Sequence, residues 1–89
     1  MVKVHIHGPE IPKELKEFIS NPEPKDLGSL ISEMAVREEF YRKLLLRGGI
    51  LRTDLTIIIN GRNCMFSGGL SSMVKVDDDV DILLPMIGG

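Results

Sequence analysis

The sequence predicts a small α+β domain, and three stretches carry that prediction. Val2, Val4 and Ile6 alternate with polar residues; Leu27, Leu30, Ile31 and Met34 recur at i, i+3, i+4 and i+7; and Asn60-Gly61 separates two strand-like runs ahead of a last apolar segment, Val80 to Leu84. Period 2 marks a half-buried strand, and the 3.6-residue period marks one face of a helix. With 89 residues, the chain has room for one domain over residues 1–89, which buries ~60 to 65% of its unfolded surface. A content of 43% hydrophobic and 27% charged residues fits a folded globular chain rather than a disordered one. The net charge of −2 and pI near 5.6 supply no general electrostatic pull toward nucleic acid or an acidic membrane.

In chain order, the alternating segment Val2 to His7 is a strand ended by Gly8-Pro9. Glu10 to Glu14 reads as a loop, and Leu15 to Ser20 as either a second strand or a helical turn in which Phe18 and Ile19 must find cover. Two prolines make Asn21 to Lys25 a turn, since each disfavours helix in the residue before it. Asp26 suits a helix N-cap. The apolar pattern changes phase between Met34 and Phe40, which predicts a break near Ala35 to Glu38, and Arg37, Arg42, Lys43 and Arg47 make a basic, solvated outer face. Gly48-Gly49 is expected to stop the helix. Leu55 to Ile59 is β-branched and strand-like, and Asn60-Gly61 suits a type I′ hairpin turn from which Arg62 to Phe66 should return antiparallel. Leu70 to Met73 makes a short turn, and Asp77-Asp78-Asp79 leads into the final strand.

Most of the reactive residue types have plain structural readings. Cys64 is the only cysteine, which excludes an internal disulfide framework and a cysteine-based metal site, and nothing around it in sequence suggests a nucleophile. His5 and His7 share a strand face without a third ligand nearby, and the three aspartates lack calcium-loop spacing. No metal is therefore assigned. No apolar run approaches the ~20 residues of a membrane span, and the N-terminus enters a strand pattern without a signal-peptide core, so a cytoplasmic location is expected.

The informative stretch is the C-terminal Pro85-Met86-Ile87-Gly88-Gly89, expected to form a flexible tail. Without Cβ atoms, Gly88 and Gly89 can enter a channel too narrow for side chains. The carboxylate on Gly89 is ionised at neutral pH and becomes an acylating group only after ATP converts an oxygen into a leaving group. A sulfur or amine nucleophile would then give a thiocarboxylate, a thioester or an amide. No phosphate-binding G-x-x-x-x-G-K-[ST] or G-x-G-x-x-G pattern is present, so adenylation falls to a partner and this chain is the substrate. The plain alternative is that the glycines are an ordinary mobile end. In the final strand Val80, Ile82 and Leu84 share one face and Asp81 and Leu83 the other, which makes Leu83 the expected docking residue.

Asp26-Leu27-Gly28-Ser29-Leu30-Ile31, Ile59-Asn60-Gly61, Asp78-Asp79-Val80 and Pro85-Met86-Ile87-Gly88-Gly89, in this order, resemble the ubiquitin-like β-grasp sulfur carriers, above all the small subunit of molybdopterin synthase. The resemblance implies a mixed sheet of four to five strands, the first and last parallel at its centre, with one main helix across one face. It also implies a sulfur carrier with no intrinsically bound cofactor, acting as a sulfur-carrying subunit or substrate without catalytic groups of its own. Gly89 would be the adenylate and thiocarboxylate site, with Gly88 beside it; Leu83, Pro85, Met86, Ile87 and Ile58 would meet partners. Those partners are an E1-like adenylating enzyme using ATP and magnesium, a sulfur donor, and the large subunit of molybdopterin synthase or another acceptor. Alternatives are a protein modifier forming isopeptide bonds, or sulfur carriage toward thiamine or tRNA thiolation. Leu84 stands where many molybdopterin-synthase small subunits have a proline, Asp77 where the family often has glycine, and Phe40 to Asp54 is longer than in compact members.

Overall fold

The computed structural model describes residues 1–20 and 24–85. The α+β class and the strand pattern hold. Strand β1 (Val2–His7) lies beside β9 (Asp79–Leu83) in parallel, pairing Val4 with Val80 and Ile6 with Ile82. Antiparallel β2 (Glu17–Ser20) flanks β1, while β6 (Thr56–Ile59) and β7 (Arg62–Asn63) extend the other side, giving a five-stranded sheet in the order β2-β1-β9-β6-β7. The central strands carry Val2, Val4, Ile6, Ile57, Val80 and Ile82 inward.

Helix α1 (Leu27–Arg37) starts where Asp26 accepts a 2.7 Å hydrogen bond from the Ser29 amide, and it buries Leu27, Leu30, Ile31 and Met34. It ends at Glu38, whose φ of −142° and ψ of 119° are extended. Helix α2 (Glu39–Leu45) restarts in the shifted phase, burying Tyr41 and Leu45. The main helix α1 is thus joined on the sheet by the shorter α2, because the break lets both Met34 and Tyr41 reach the core. Tyr41 also resolves the ambiguous segment before β2. Its hydroxyl donates to the Leu15 carbonyl at 2.8 Å, holding a 3-10 turn (Lys13–Leu15), and its ring meets the buried Phe18 edge-on at 5.7 Å. The strand alternative therefore holds over Glu17–Ser20, and the helical turn sits earlier, mostly within the stretch read as a loop.

Three further expectations change. Gly48-Gly49 does not stop the helix, which ends at Leu45; it turns a hairpin of β4 (Leu46–Arg47) and β5 (Ile50–Leu51), with φ of 60° and 81°. Diglycine serves either purpose, because both need left-handed backbone. The return strand stops at Asn63 rather than Phe66, since the Asn63 side chain accepts from the Met65 amide at 2.9 Å and starts a 3-10 turn (Cys64–Phe66). Lys25 leaves the expected turn to form, with the N-cap Asp26, β3 (Lys25–Asp26), paired with β8 (Met73–Val74); residues 21–23 of that turn lie outside the described set. The Asn60-Gly61 turn forms as expected, with Ile59 opposite Arg62, and Asp77 takes a φ of 69°.

One ion cluster ties α1 to the sheet edge. Glu33 accepts from Lys25 Nζ and Ser20 Oγ, each at 2.7 Å, while Arg37 Nη2 stands 2.9 Å away as an ion pair off the line of a hydrogen bond. Burial pushes the Glu33 carboxyl upward, but the hydrogen bonds from Lys25 and Ser20 and the charges of Lys25 and Arg37 outweigh it and hold its pKa below the ordinary 4.5. The unfolded chain binds this proton more tightly, so the stabilisation is complete above about pH 4.5 and is lost as the pH falls through the folded value. Glu33→Gln is expected to lower the melting temperature at pH 7 and to flatten its decline in acid. Wild-type and variant melting curves that fall in parallel below pH 4.5 would reject this assignment.

Candidate functional site

The predicted tail leaves the sheet at the end of β9, and the sequence dictates where. Leu84 donates its amide to the His7 carbonyl at 2.9 Å, continuing the ladder one step past Leu83. Pro85 has no N–H to continue it. Leu84 packs against the core, and with Pro85 it lines a groove of about 280 Å³ whose other walls are Pro9, Glu10, Phe40, Leu44 and Arg52. Arg52 is held firmly there: Nε and Nη2 grip the Asp54 carboxylate at 3.0 and 2.8 Å, and Nη1 donates to the Leu44 carbonyl at 3.1 Å. That grip, with the positive charge behind it, lowers the Asp54 pKa.

Leu83 and Ile58 are both half-buried on the sheet face away from the helices. Leu83 stands opposite Thr56 on β6 and His7 on β1, while Ile58 stands opposite Asp81, so the two apolar side chains are diagonal neighbours. Around them the face is polar. His7 Nε2 is 2.8 Å from Asp81 Oδ1, and His5 lies between Glu17 at 3.8 Å and Asp79 at 4.0 Å. The structure thus brings Leu83 and Pro85 to the same end of the sheet, with Ile58 one diagonal step further in, opposite Asp81. Met86, Ile87, Gly88 and Gly89 lie outside the described residues. Among the described residues, no group of three or more His, Cys, Asp or Glu side chains is placed to hold a metal, and no helix is long and apolar enough to cross a membrane.

Cys64 is buried, burial raises its thiol pKa, and its carbonyl accepts from the hydroxyls of Ser67 and Ser72 at 3.2 and 3.3 Å. A protonated thiol is a weak nucleophile, which agrees with a structural residue. The aspartate turn is also used internally: Asp78 accepts from the Lys75 amide and the Asn60 side chain, and Asn60 Oδ1 accepts from the Asp79 amide. The sequence offered no sign of Phe40, Leu44 and Arg52 at the tail root. They arrive on the long segment between the helix break and β6, and no local motif marks them.

No family model matches the chain. A protein of Archaeoglobus fulgidus classed as a sulfur carrier is 33% identical over 61 residues, which span 68% of this chain and 67% of the relative. The solved structure of CysO from Mycobacterium tuberculosis is 26% identical with a TM-score of 0.68, over 98% of this chain and 100% of that one. A molybdopterin converting factor subunit 1 from Pyrococcus furiosus is 26% identical with a TM-score of 0.66, over 96% and 97%. With the parallel pairing of first and last strands, the helices on one face and the sequence likeness to the Archaeoglobus protein, the chain belongs to the ubiquitin-like β-grasp sulfur carrier family.

Proposed function

We propose that this carrier holds its sulfur as a thiocarboxylate on Gly89 and delivers it in molybdopterin biosynthesis. The observation that carries the reading is the placement of Leu83 and Pro85 at one end of the sheet, with Ile58 diagonal to Leu83 on the same open face, where the chain continues toward Gly88-Gly89. An apolar docking pair beside the tail root lets one partner grip the sheet face while it receives the terminus. Met86 and Ile87 belong to the stretch that such a partner encloses.

The activating partner is an E1-like enzyme that uses ATP and magnesium, so neither is a resident ligand of this chain. A Gly89 carboxylate oxygen attacks the α-phosphorus of ATP and pyrophosphate leaves. A donor at the oxidation level of sulfide then attacks the acyl carbon, forming the C–S bond as AMP departs. In the acceptor, the large subunit of a molybdopterin synthase, the thiocarboxylate sulfur attacks an electrophilic carbon of the precursor, forming a thioester as an oxygen leaving group departs from that carbon. Water attack on the acyl carbon breaks the C–S bond and restores the carboxylate. The likeness to the Pyrococcus protein supports this acceptor, and the likeness to CysO keeps other acceptors within the family's range. A cytoplasmic setting with an adenylating enzyme and sulfur donor is part of the same proposal, as is residues 1–89 acting as one domain with a tail from Pro85.

The test is the intact mass of the protein from its own cells, before and after thiol-selective alkylation. The expected result is one oxygen-to-sulfur exchange mapped to Gly89. A terminus that is always a plain carboxylate would reject the proposal, and one recovered on lysine side chains would replace it with the protein-modifier reading.

A further inference from the structure

Gly8 follows β1 and precedes Pro9, and in sequence it reads as a strand end. Its backbone is not left-handed, so conformation does not demand a glycine there. Space does. A Cβ built on Gly8 would stand 2.5 Å from Leu84 Cδ1, 2.9 Å from Leu84 Cβ and 3.1 Å from Leu84 Cγ. Non-bonded carbons settle at about 3.5 to 4.0 Å, so a methyl group at position 8 and Leu84 in its present place exclude one another. Rotating the Leu84 side chain frees Cδ1 but leaves Cβ, which moves only with the backbone. That backbone carries the Leu84 amide bonded to His7, the residue next to Gly8.

We propose that Gly8 is a positioning residue for the carrier tail. Its missing Cβ is the seat on which Leu84 lies, and that seat sets where Pro85 enters its groove and the direction in which the chain leaves the sheet. The consequence for sulfur transfer rests on the carrier reading; the seat itself rests on geometry alone. Four residues separate Pro85 from the Gly89 carboxylate, a reach of at most about 14 Å. With so short a reach, a displaced root moves the reacting carbon, and a misplacement of about 1 Å can cost ~100-fold in rate.

The experiment compares Gly8→Ala, Leu84→Ala and the double variant in the full-length protein. Hydrogen exchange of the residue 84 amide reports the seat, and ATP–pyrophosphate exchange with the activating enzyme reports adenylation. Gly8→Ala is expected to lose at least tenfold protection at Leu84 and to lower kcat by ~10 to 100-fold with little change in KM, because the Leu83 face is untouched. The double variant should recover several-fold over Gly8→Ala, since truncating Leu84 removes two of the three close approaches. A merely structural role predicts the opposite, with the two losses compounding. If Gly8→Ala fails to fold, Leu84→Ala alone empties the seat and should show the same loss of protection and kcat. Unchanged Leu84 protection in Gly8→Ala, or a double variant worse than either single one, would overturn the inference. A wild-type protein that is never adenylated would sink the carrier reading, while exchange at residue 84 would still decide the seat.

Discussion

Deleting Gly89 is expected to abolish sulfur acquisition while leaving the fold and its melting temperature unchanged. The deletion leaves a carboxylate, now on Gly88, so the chemistry of the group is preserved and only its position changes. One residue fewer shortens the reach by up to about 3.5 Å. In a channel that holds the acyl carbon against an adenylating centre, this exceeds the misplacement that costs ~100-fold. Gly89→Ala should act in the same direction through the added Cβ, in a passage proposed to admit only glycine. Intact mass after incubation with the activating enzyme, ATP, magnesium and a sulfide donor gives the answer. Sulfur incorporation at the wild-type rate in the deletion would rule the proposed terminus out.

Ile82 and Leu83 are neighbours in β9 with opposite expected effects. Ile82 is fully buried, set between Ile6 and Ile57, and truncation to alanine should cost ~2 to 5 kcal/mol through lost burial and the cavity left behind. For a domain whose whole stability is on the order of 5 to 13 kcal/mol, that is a large fraction. The melting temperature should fall by at least ~10 °C. Leu83→Ala removes a half-buried side chain from the open face and should cost about 1 kcal/mol or less in folding. Its effect belongs in binding, where loss of a central apolar contact typically weakens affinity ~5 to 30-fold. Thermal unfolding and titration calorimetry against the activating enzyme separate the two. A Leu83→Ala protein that binds as tightly as wild type would remove the open face from the docking surface.

Gly8 links these two expectations. Leu83 faces the proposed partner, Leu84 turns inward to its seat over Gly8, and Pro85 ends the ladder. Within three consecutive residues the chain passes from a docking contact to a core contact to the groove-lining root of the tail. Side-chain alternation along the strand produces this order.

The sequence by itself determined the elements whose signals are local. The period-2 strand at Val2, the Asp26 cap with its i, i+3, i+4, i+7 face, the phase shift that predicts the Glu38 break, and the Asn60-Gly61 turn each depend on neighbouring residues, and all are present. The inward and outward faces of β9 were legible for the same reason, so Leu83 could be singled out without coordinates. Tertiary structure decided what depends on residues far apart. Gly48-Gly49 became a hairpin because Leu46 pairs with Leu51, and the residues before β2 became a 3-10 turn because Tyr41 reaches Leu15. Gly8 is a glycine because residue 84 lies against it, and the tail root is walled by Phe40, Leu44 and Arg52 because a distant segment folds over it. Propensity and periodicity act over a turn or two of chain, whereas steric exclusion between residues 8 and 84 exists only once β1 and β9 lie side by side.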